Sequence, residues 1–297
     1  MTEAIYTLKD NRKLSYALYG PANGKPVLYF HGTPSSRKEI LILKAFGVDF
    51  DAVLFQAGLR LLAVDRHALS TFYPQRNFRS FADDVVQLLG HFRVTRCPVL
   101  AWSGGGPYAL AIAHRHPQVI AGVYILCGFS KKFDSDVIRQ MGGNKWYFRS
   151  AKYIPLVLRL AMNIVRSRKT DHLPPRALTG LPYKDYVLLQ ENIRKIAGLT
   201  LKEATRKGAR TAVHEAVSYY KETGYSIADI EQPIHYWWGT KDMSVAEAHA
   251  REIEQKAQKP VMHYLQDESH LSVYIKCFPE AVKTIALAHT TSTISDR

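Results

Sequence analysis

Cysteine, acid and long apolar runs are all scarce in this chain of 297 residues. Cys97, Cys127 and Cys277 form an odd set with no paired spacing, each in an apolar or amphipathic stretch. They read as buried thiols of a reducing compartment, which excludes a disulfide framework. The 12 histidines are scattered, and no Cys/His cluster has metal-ligand spacing, so neither a metal nor a cofactor is expected. No apolar run approaches the length that spans a bilayer. The opening Met1-Thr2-Glu3-Ala4-Ile5 shows neither a basic leader nor an apolar core, and the expectation is a soluble, unsecreted, cytoplasmic protein.

The shortage of acid is local. The chain carries 40 Lys and Arg against 26 Asp and Glu, a net +14, and residues 131–210 alone hold 18 against 6, or +12. That asymmetry suits an anionic substrate, an acidic partner or a peripheral contact with an anionic membrane surface; the plainer reading is a solvated helical face. The basic residues form no recognisable reading module, so no nucleic-acid partner is expected.

Hydrophobic residues make up 46% of the chain, enough for a large core. Ile5–Leu8 and Leu14–Tyr19 alternate like two antiparallel strands around Asp10-Asn11-Arg12. Strand-like runs then follow at Val27–His31, Leu61–Asp65, Pro98–Trp102 and Val119–Cys127. Helix-like segments separate them at Lys38–Ala45, Phe81–Phe92 and Pro107–His114. Such alternation predicts an α/β fold with a mostly parallel central sheet flanked by helices. From Phe133 to Thr223 the pattern turns helical, broken by Pro174-Pro175 and Gly180-Leu181-Pro182. This predicts an all-helical cap over 133–225, inserted into a core made of 1–132 and 226–297. Within it, Tyr153–Val165 is more apolar than a surface helix should be. It is expected to roof the pocket and to pack the cap onto the core, in preference to facing a membrane.

Ala101-Trp102-Ser103-Gly104-Gly105-Gly106, directly after an apolar strand, puts one serine on a strand-to-helix turn tight enough to demand small residues two positions before and after it. Ala101 and Gly105 meet that demand, and the helix beginning near Pro107 would aim free N–H groups at Ser103. Downstream, Pro233–Lys241 reads as a buried strand and polar turn ending at Asp242. Asp267-Glu268-Ser269-His270 follows the strand-like Pro260–Leu265, which places His270 in a loop at a strand end. Serine, then aspartate, then histidine makes a nucleophile, an orienting acid and a base in one of the known chain orders. Asp267 and Glu268 lie alongside His270, so Asp242 is the better acid.

After the strand ending at His31, Gly32-Thr33-Pro34-Ser35-Ser36-Arg37 makes a sharp exit. With this loop the chain resembles the α/β-hydrolase superfamily from about Tyr6 to Thr284, including Asp65-Arg66, Gly239-Thr240-Lys241-Asp242 and Glu268-Ser269-His270-Leu271. The resemblance implies that the backbone N–H groups of Thr33 and Gly104 form the oxyanion hole, each such donor being worth ~3 kcal/mol in a transition state. It also implies that His31 orders that loop and that the helical insertion is a lid. The chain departs from the family pattern after Asp65-Arg66, where His67-Ala68-Leu69-Ser70-Thr71-Phe72 lacks both usual glycines; a reshaped loop at the active-site mouth is expected. The replacement of the first elbow glycine by Ala101 leaves the nucleophile in place.

These features predict a serine hydrolase acting on an ester, thioester, lactone or related acyl bond of a small, hydrophobic substrate. The alternatives are carbon–carbon bond hydrolysis, acyl transfer or a lyase step with the same triad, and a small-ligand receptor without turnover. Aspartate-nucleophile chemistry is excluded by Ser103. Proline iminopeptidase relatives carry His-Gly-Gly-Pro-Gly where this chain has His31-Gly32-Thr33-Pro34-Ser35, so peptidase activity is secondary.

Overall fold

In a computed structural model, which describes residues 1–67, 69–167 and 182–295, the strand patterns become one eight-stranded sheet. The strands are β1 (Thr2–Thr7), β2 (Lys13–Tyr19), β3 (Lys25–Phe30), β4 (Leu59–Val64), β5 (Cys97–Trp102), β6 (Ile120–Leu126), β7 (Ile234–Gly239) and β8 (Pro260–Leu265). Their order is β1-β2-β4-β3-β5-β6-β7-β8. β2 pairs antiparallel with β1 and with β4, and all pairs from β4 to β8 are parallel. Helices cover both faces, which is why β3, β5 and β6 read as continuous apolar runs, whereas edge strand β1 alternates between exposed and half-buried positions.

Local chemistry sets the helix ends. The helix Phe78–His91 starts three residues before the Phe81 expected from periodicity, because Asn77 and Ser80 close a capping box: Ser80 N donates to Asn77 Oδ1 at 2.9 Å and Asn77 N to Ser80 Oγ at 3.0 Å. The expected single helix Lys38–Ala45 is instead a 3-10 turn, Glu39–Leu41, followed by one helical turn, Ile42–Ala45. The regular helix of this region is Phe50–Ala57, begun by an Asp49 side-chain cap and ended by Gly58 at φ +63°.

Between β6 and β7 the described residues hold helices Ser135–Gln140, Lys145–Tyr153, Pro155–Ser167, Tyr183–Ala197 and Arg210–Ser218, and no strand. This is the inserted helical cap; Pro174, Pro175, Gly180 and Leu181 lie outside the described residues, as does Ala68. One expectation is corrected here. Leu158, Ala161, Met162 and Val165 of Pro155–Ser167 do line the cavity below, and Leu158 packs against the main core, but the outer side of the segment takes no part in packing the cap onto the core. Leu156 is 76% and Leu160 63% exposed, and Met162 is the helix's only buried residue. Apart from a polar stripe of Arg159, Asn163 and Arg166 the helix is apolar, and the cap uses only one side of that apolar surface.

Candidate active site

β5 delivers Ser103 at the middle of the sheet, and the backbone there turns to φ +51°, a conformation that side-chain-bearing residues rarely adopt. The turn is closed so tightly that a Cβ on Gly105 would lie 2.3 Å from the Phe30 carbonyl oxygen, which only glycine avoids. The helix Gly106–Arg115 starts behind it with Pro107 in its first turn. Ser103 is nearly buried and lines a cavity of about 670 Å³ under the cap.

His270 lines the same cavity. It is the first residue of the helix His270–Ser295, not a loop residue, so its backbone is held by regular structure. Its Nδ1 lies 2.8 Å from Asp242 Oδ2. Because a carboxylate oxygen accepts, Nδ1 carries the proton and Nε2 is left as the acceptor. Asp242 ends a tight turn after β7: its N–H donates to the Gly239 carbonyl at 2.9 Å. Its other oxygen accepts from Ser244 N at 2.7 Å and Val245 N at 2.8 Å. Burial pulls the imidazole pKa down, but the charge and hydrogen bond of Asp242, with Asp185 and Glu39 further off, outweigh burial and raise it above the ordinary value. Trp102 stacks on the His270 ring at 5.2 Å and on Tyr274 at 4.2 Å, fixing the plane of the base. Cys127, Asp242 and His270 place ligand-type atoms within 4.8 Å of one another. Burial pushes the Cys127 thiol well above its usual range, so it offers Asp242 an S–H donor and not a thiolate to a metal.

The loop after β3, expected to contribute to an oxyanion hole, is held from below and from above. A Cβ on Gly104 would lie 2.7 Å from Thr33 Cβ, so the two residues expected to form the hole are neighbours. Gly32 N donates to both oxygens of buried Glu39, at 3.0 and 2.8 Å. Arg66 Nη2 donates to the His31 and Gly32 carbonyls, each at 2.8 Å. His31 is buried and neutral, its pKa pulled to about 4 by burial and by the Arg66 charge. From the cap, Glu215 reaches down: its carboxylate accepts from Thr33 Oγ1 at 2.6 Å and from Arg66 Nε at 2.5 Å, and lies 2.6 Å from His67 Nε2. Tyr219 of the same cap segment donates to the Gly104 carbonyl at 2.9 Å. Asp65, Arg66 and His67 are therefore buried behind this loop; of the stretch expected to reshape the mouth, neither His67 nor the described residues Leu69 to Phe72 line the cavity.

Sequence reasoning singles out Ser103, Asp242, His270, Thr33 and Gly104 as candidates, and the structure brings all five to one rim of the sheet. It missed three buried carboxylates. Glu39 lies at the cavity, its pKa pushed by burial up to about 7. Asp185, from the cap helix Tyr183–Ala197, accepts from Ser269 Oγ at 2.5 Å and from Leu271 N at 3.2 Å, and so caps the helix that carries His270. Glu215 sits among buried Ala212, Val213 and Ala216; a lone acid on the apolar face of a helix is the signal that marks it.

A family model described as alpha/beta hydrolase fold matches residues 25–273. Among curated proteins, the sn-1-specific diacylglycerol lipase ABHD11 of Xenopus tropicalis is 27% identical over 110 residues, 36% of this chain and 33% of the relative. A proline iminopeptidase of Xylella fastidiosa is 26% identical over 132 residues, 41% and 40% of the respective chains. The chain thus spans well under half the length of the curated relatives it matches. Among solved structures, the esterase RhEst1 from Rhodococcus sp. ECU1013 superposes with a TM-score of 0.67 at 20% identity, covering 97% of this chain and 99% of that one. The enol-lactonase from Burkholderia xenovorans LB400 gives 0.64 at 17%, covering 97% and 100%. At such identities the likeness concerns the fold.

Proposed function

The chain belongs to the alpha/beta hydrolase fold family, and from that premise we propose that it is a serine hydrolase cleaving an ester, thioester, lactone or related acyl bond of a hydrophobic substrate held under the 133–225 cap. The observation that carries the reading is the 2.8 Å Asp242–His270 pair. It leaves Nε2 free to accept, with Ser103 on the same cavity wall at a strained φ of +51°.

In this reading His270 Nε2 takes the proton of Ser103 as Oγ attacks the acyl carbon. The carbonyl π electrons move onto oxygen, and the Thr33 and Gly104 N–H groups stabilise the oxyanion. Collapse of the tetrahedral species expels the alcohol, thiol or enol, which leaves with the proton from His270. Water then repeats the sequence on the acyl-enzyme, releasing the acid and restoring Ser103. Asp242 holds the tautomer and stabilises the imidazolium. The cavity lining, with Ile42, Phe148, Leu158 and Met162 around these polar groups, supports an apolar acyl or alcohol portion. The structural neighbours named above, an esterase and an enol-lactonase, support the same bond class.

A fluorophosphonate should label the wild type at one serine and leave Ser103→Ala unlabelled. Turnover of a short p-nitrophenyl ester should fall by several orders of magnitude in Ser103→Ala and in His270→Ala. Labelling that survives Ser103→Ala rejects the nucleophile; labelling without ester turnover moves the reading to carbon–carbon cleavage, acyl transfer or ligand binding.

A further inference from the structure

The outer face of the cap is apolar where a surface should be polar. Tyr153 is 70%, Leu156 76%, Val157 59% and Leu160 63% exposed, and Ile164 is also exposed. In Pro155–Ser167, Leu156, Leu160 and Ile164 recur every four residues and share one outward stripe. Leu158, Met162 and Val165 form the opposite stripe, against the cavity. Arg159 and Arg166, both exposed and one heptad apart, fall beside the outward stripe, and Lys152 precedes them by another seven residues.

Charge identifies what this face fits. Residues 145–167 contain five Lys and Arg and no Asp or Glu. Arg166 donates to the Arg206 carbonyl at 3.0 Å, and the Lys152 ammonium lies over the rings of Tyr153 and Tyr220 at 5.1 and 4.9 Å; neither contact neutralises a charge. A second copy of the chain is a poor occupant, because a two-fold contact through this face would bring both sets of cations together. A lone apolar stripe flanked by cations is instead the arrangement that lies in the plane of an anionic interface, apolar side chains among the acyl chains and cations at the headgroups.

We propose that the outer face of Pro155–Ser167, with Lys152 and Tyr153 before it, docks the protein onto an anionic lipid surface. The opposite side of the same helix roofs the cavity, so docking places the cavity roof against the source of apolar substrates. The inference stands on exposure, spacing and charge, and goes beyond the hydrolase reading without needing it.

The test is co-sedimentation of the full chain with vesicles of phosphatidylcholine alone or with phosphatidylglycerol, at low and high salt. Wild type should bind the anionic vesicles roughly tenfold or more tightly than the neutral ones at low salt, and lose that preference at high salt. Arg159→Gln/Arg166→Gln should remove the preference, and Leu156→Ser/Leu160→Ser should weaken binding by about tenfold. Circular dichroism and thermal melting of the same preparations show that the variants are folded, and soluble-ester turnover is read beside them. Loss of turnover with vesicle binding intact defeats the hydrolase reading alone. Absence of binding to anionic vesicles, or binding unchanged in both variants, overturns the docking proposal. So does a wild-type dimer in sedimentation velocity that Leu156→Ser/Leu160→Ser dissolves with vesicle affinity unchanged, since the face would then serve a second copy.

Discussion

Two helices of the same cap make opposite use of the water they displace. Arg210–Ser218 sends a fully buried carboxylate, Glu215, into contact with Thr33, Arg66 and His67 of the core. Pro155–Ser167 buries only Met162 and leaves Leu156 and Leu160 in solvent. The first helix is tied to the catalytic loop by polar contacts that tolerate little displacement. The second meets no buried charge; apolar contact, which is less directional, is joined only by hydrogen bonds within the cap, Ala209 N to Asn163 Oδ1 and Arg166 to the Arg206 carbonyl, each at 3.0 Å. A cap built this way is part framework and part cover, and the division follows the placement of acids: Asp185 and Glu215 are both buried at the core side, while residues 145–167 have none.

Glu215→Gln tests the framework half most severely. It strands the Arg66 guanidinium and weakens the hold on Thr33, so stability in urea should drop by about 3–5 kcal/mol, and ester turnover should fall with it. Adding Arg66→Met should restore much of the stability and little of the turnover; a single variant of wild-type stability would erase the distinction between the two helices. A smaller effect is expected from Asp185→Asn, read in the pH profile. Asp185 is one of the charges that raise the His270 pKa. Activity needs the neutral imidazole, so it rises as pH passes through that pKa; removing the carboxylate lowers the pKa and moves the acid limb of kcat/KM to lower pH. An unmoved limb would make Asp185 a helix cap and nothing more. The smallest effect belongs to the cover: Leu156→Ser should change stability by no more than about 0.5 kcal/mol, whereas Met162→Ala, on the cavity side, should cost more. Equal losses at the two positions would show that the outer stripe is packed in solution.

The sequence made the sheet legible because each strand carries its own apolar run, and made Ser103, Asp242 and His270 legible because a tight turn, a polar turn and a strand end leave local marks. The helix Phe50–Ala57 is too short for its periodicity to stand out. His270 was expected in a loop because the residues that start its helix are on other elements: Asp185, from the cap, accepts from Leu271 N. The missing glycines of His67–Phe72 speak only of backbone shape, whereas the buried contacts of Arg66 just before them depend on Glu215, 149 positions away. Glu39 gave no sign, since its value as an acceptor for Gly32 N exists only after the loop has folded over it. Chemistry written in short stretches can be read before folding, whereas chemistry assembled across the cap interface cannot.

The stack of Trp102 on His270, 5.2 Å between ring centres and within 23° of parallel, has an electrostatic side. In the proposed mechanism the imidazole would become a cation twice per turnover, each time against the electron-rich face of an indole that also stacks on Tyr274. That aromatic pair attracts the charged ring more than the neutral one, so Trp102 favours the moment of proton transfer over the resting state. Under the proposed mechanism, a residue whose fit beside Ser103 is set by packing would thereby also lower the energy of the charge that attack creates.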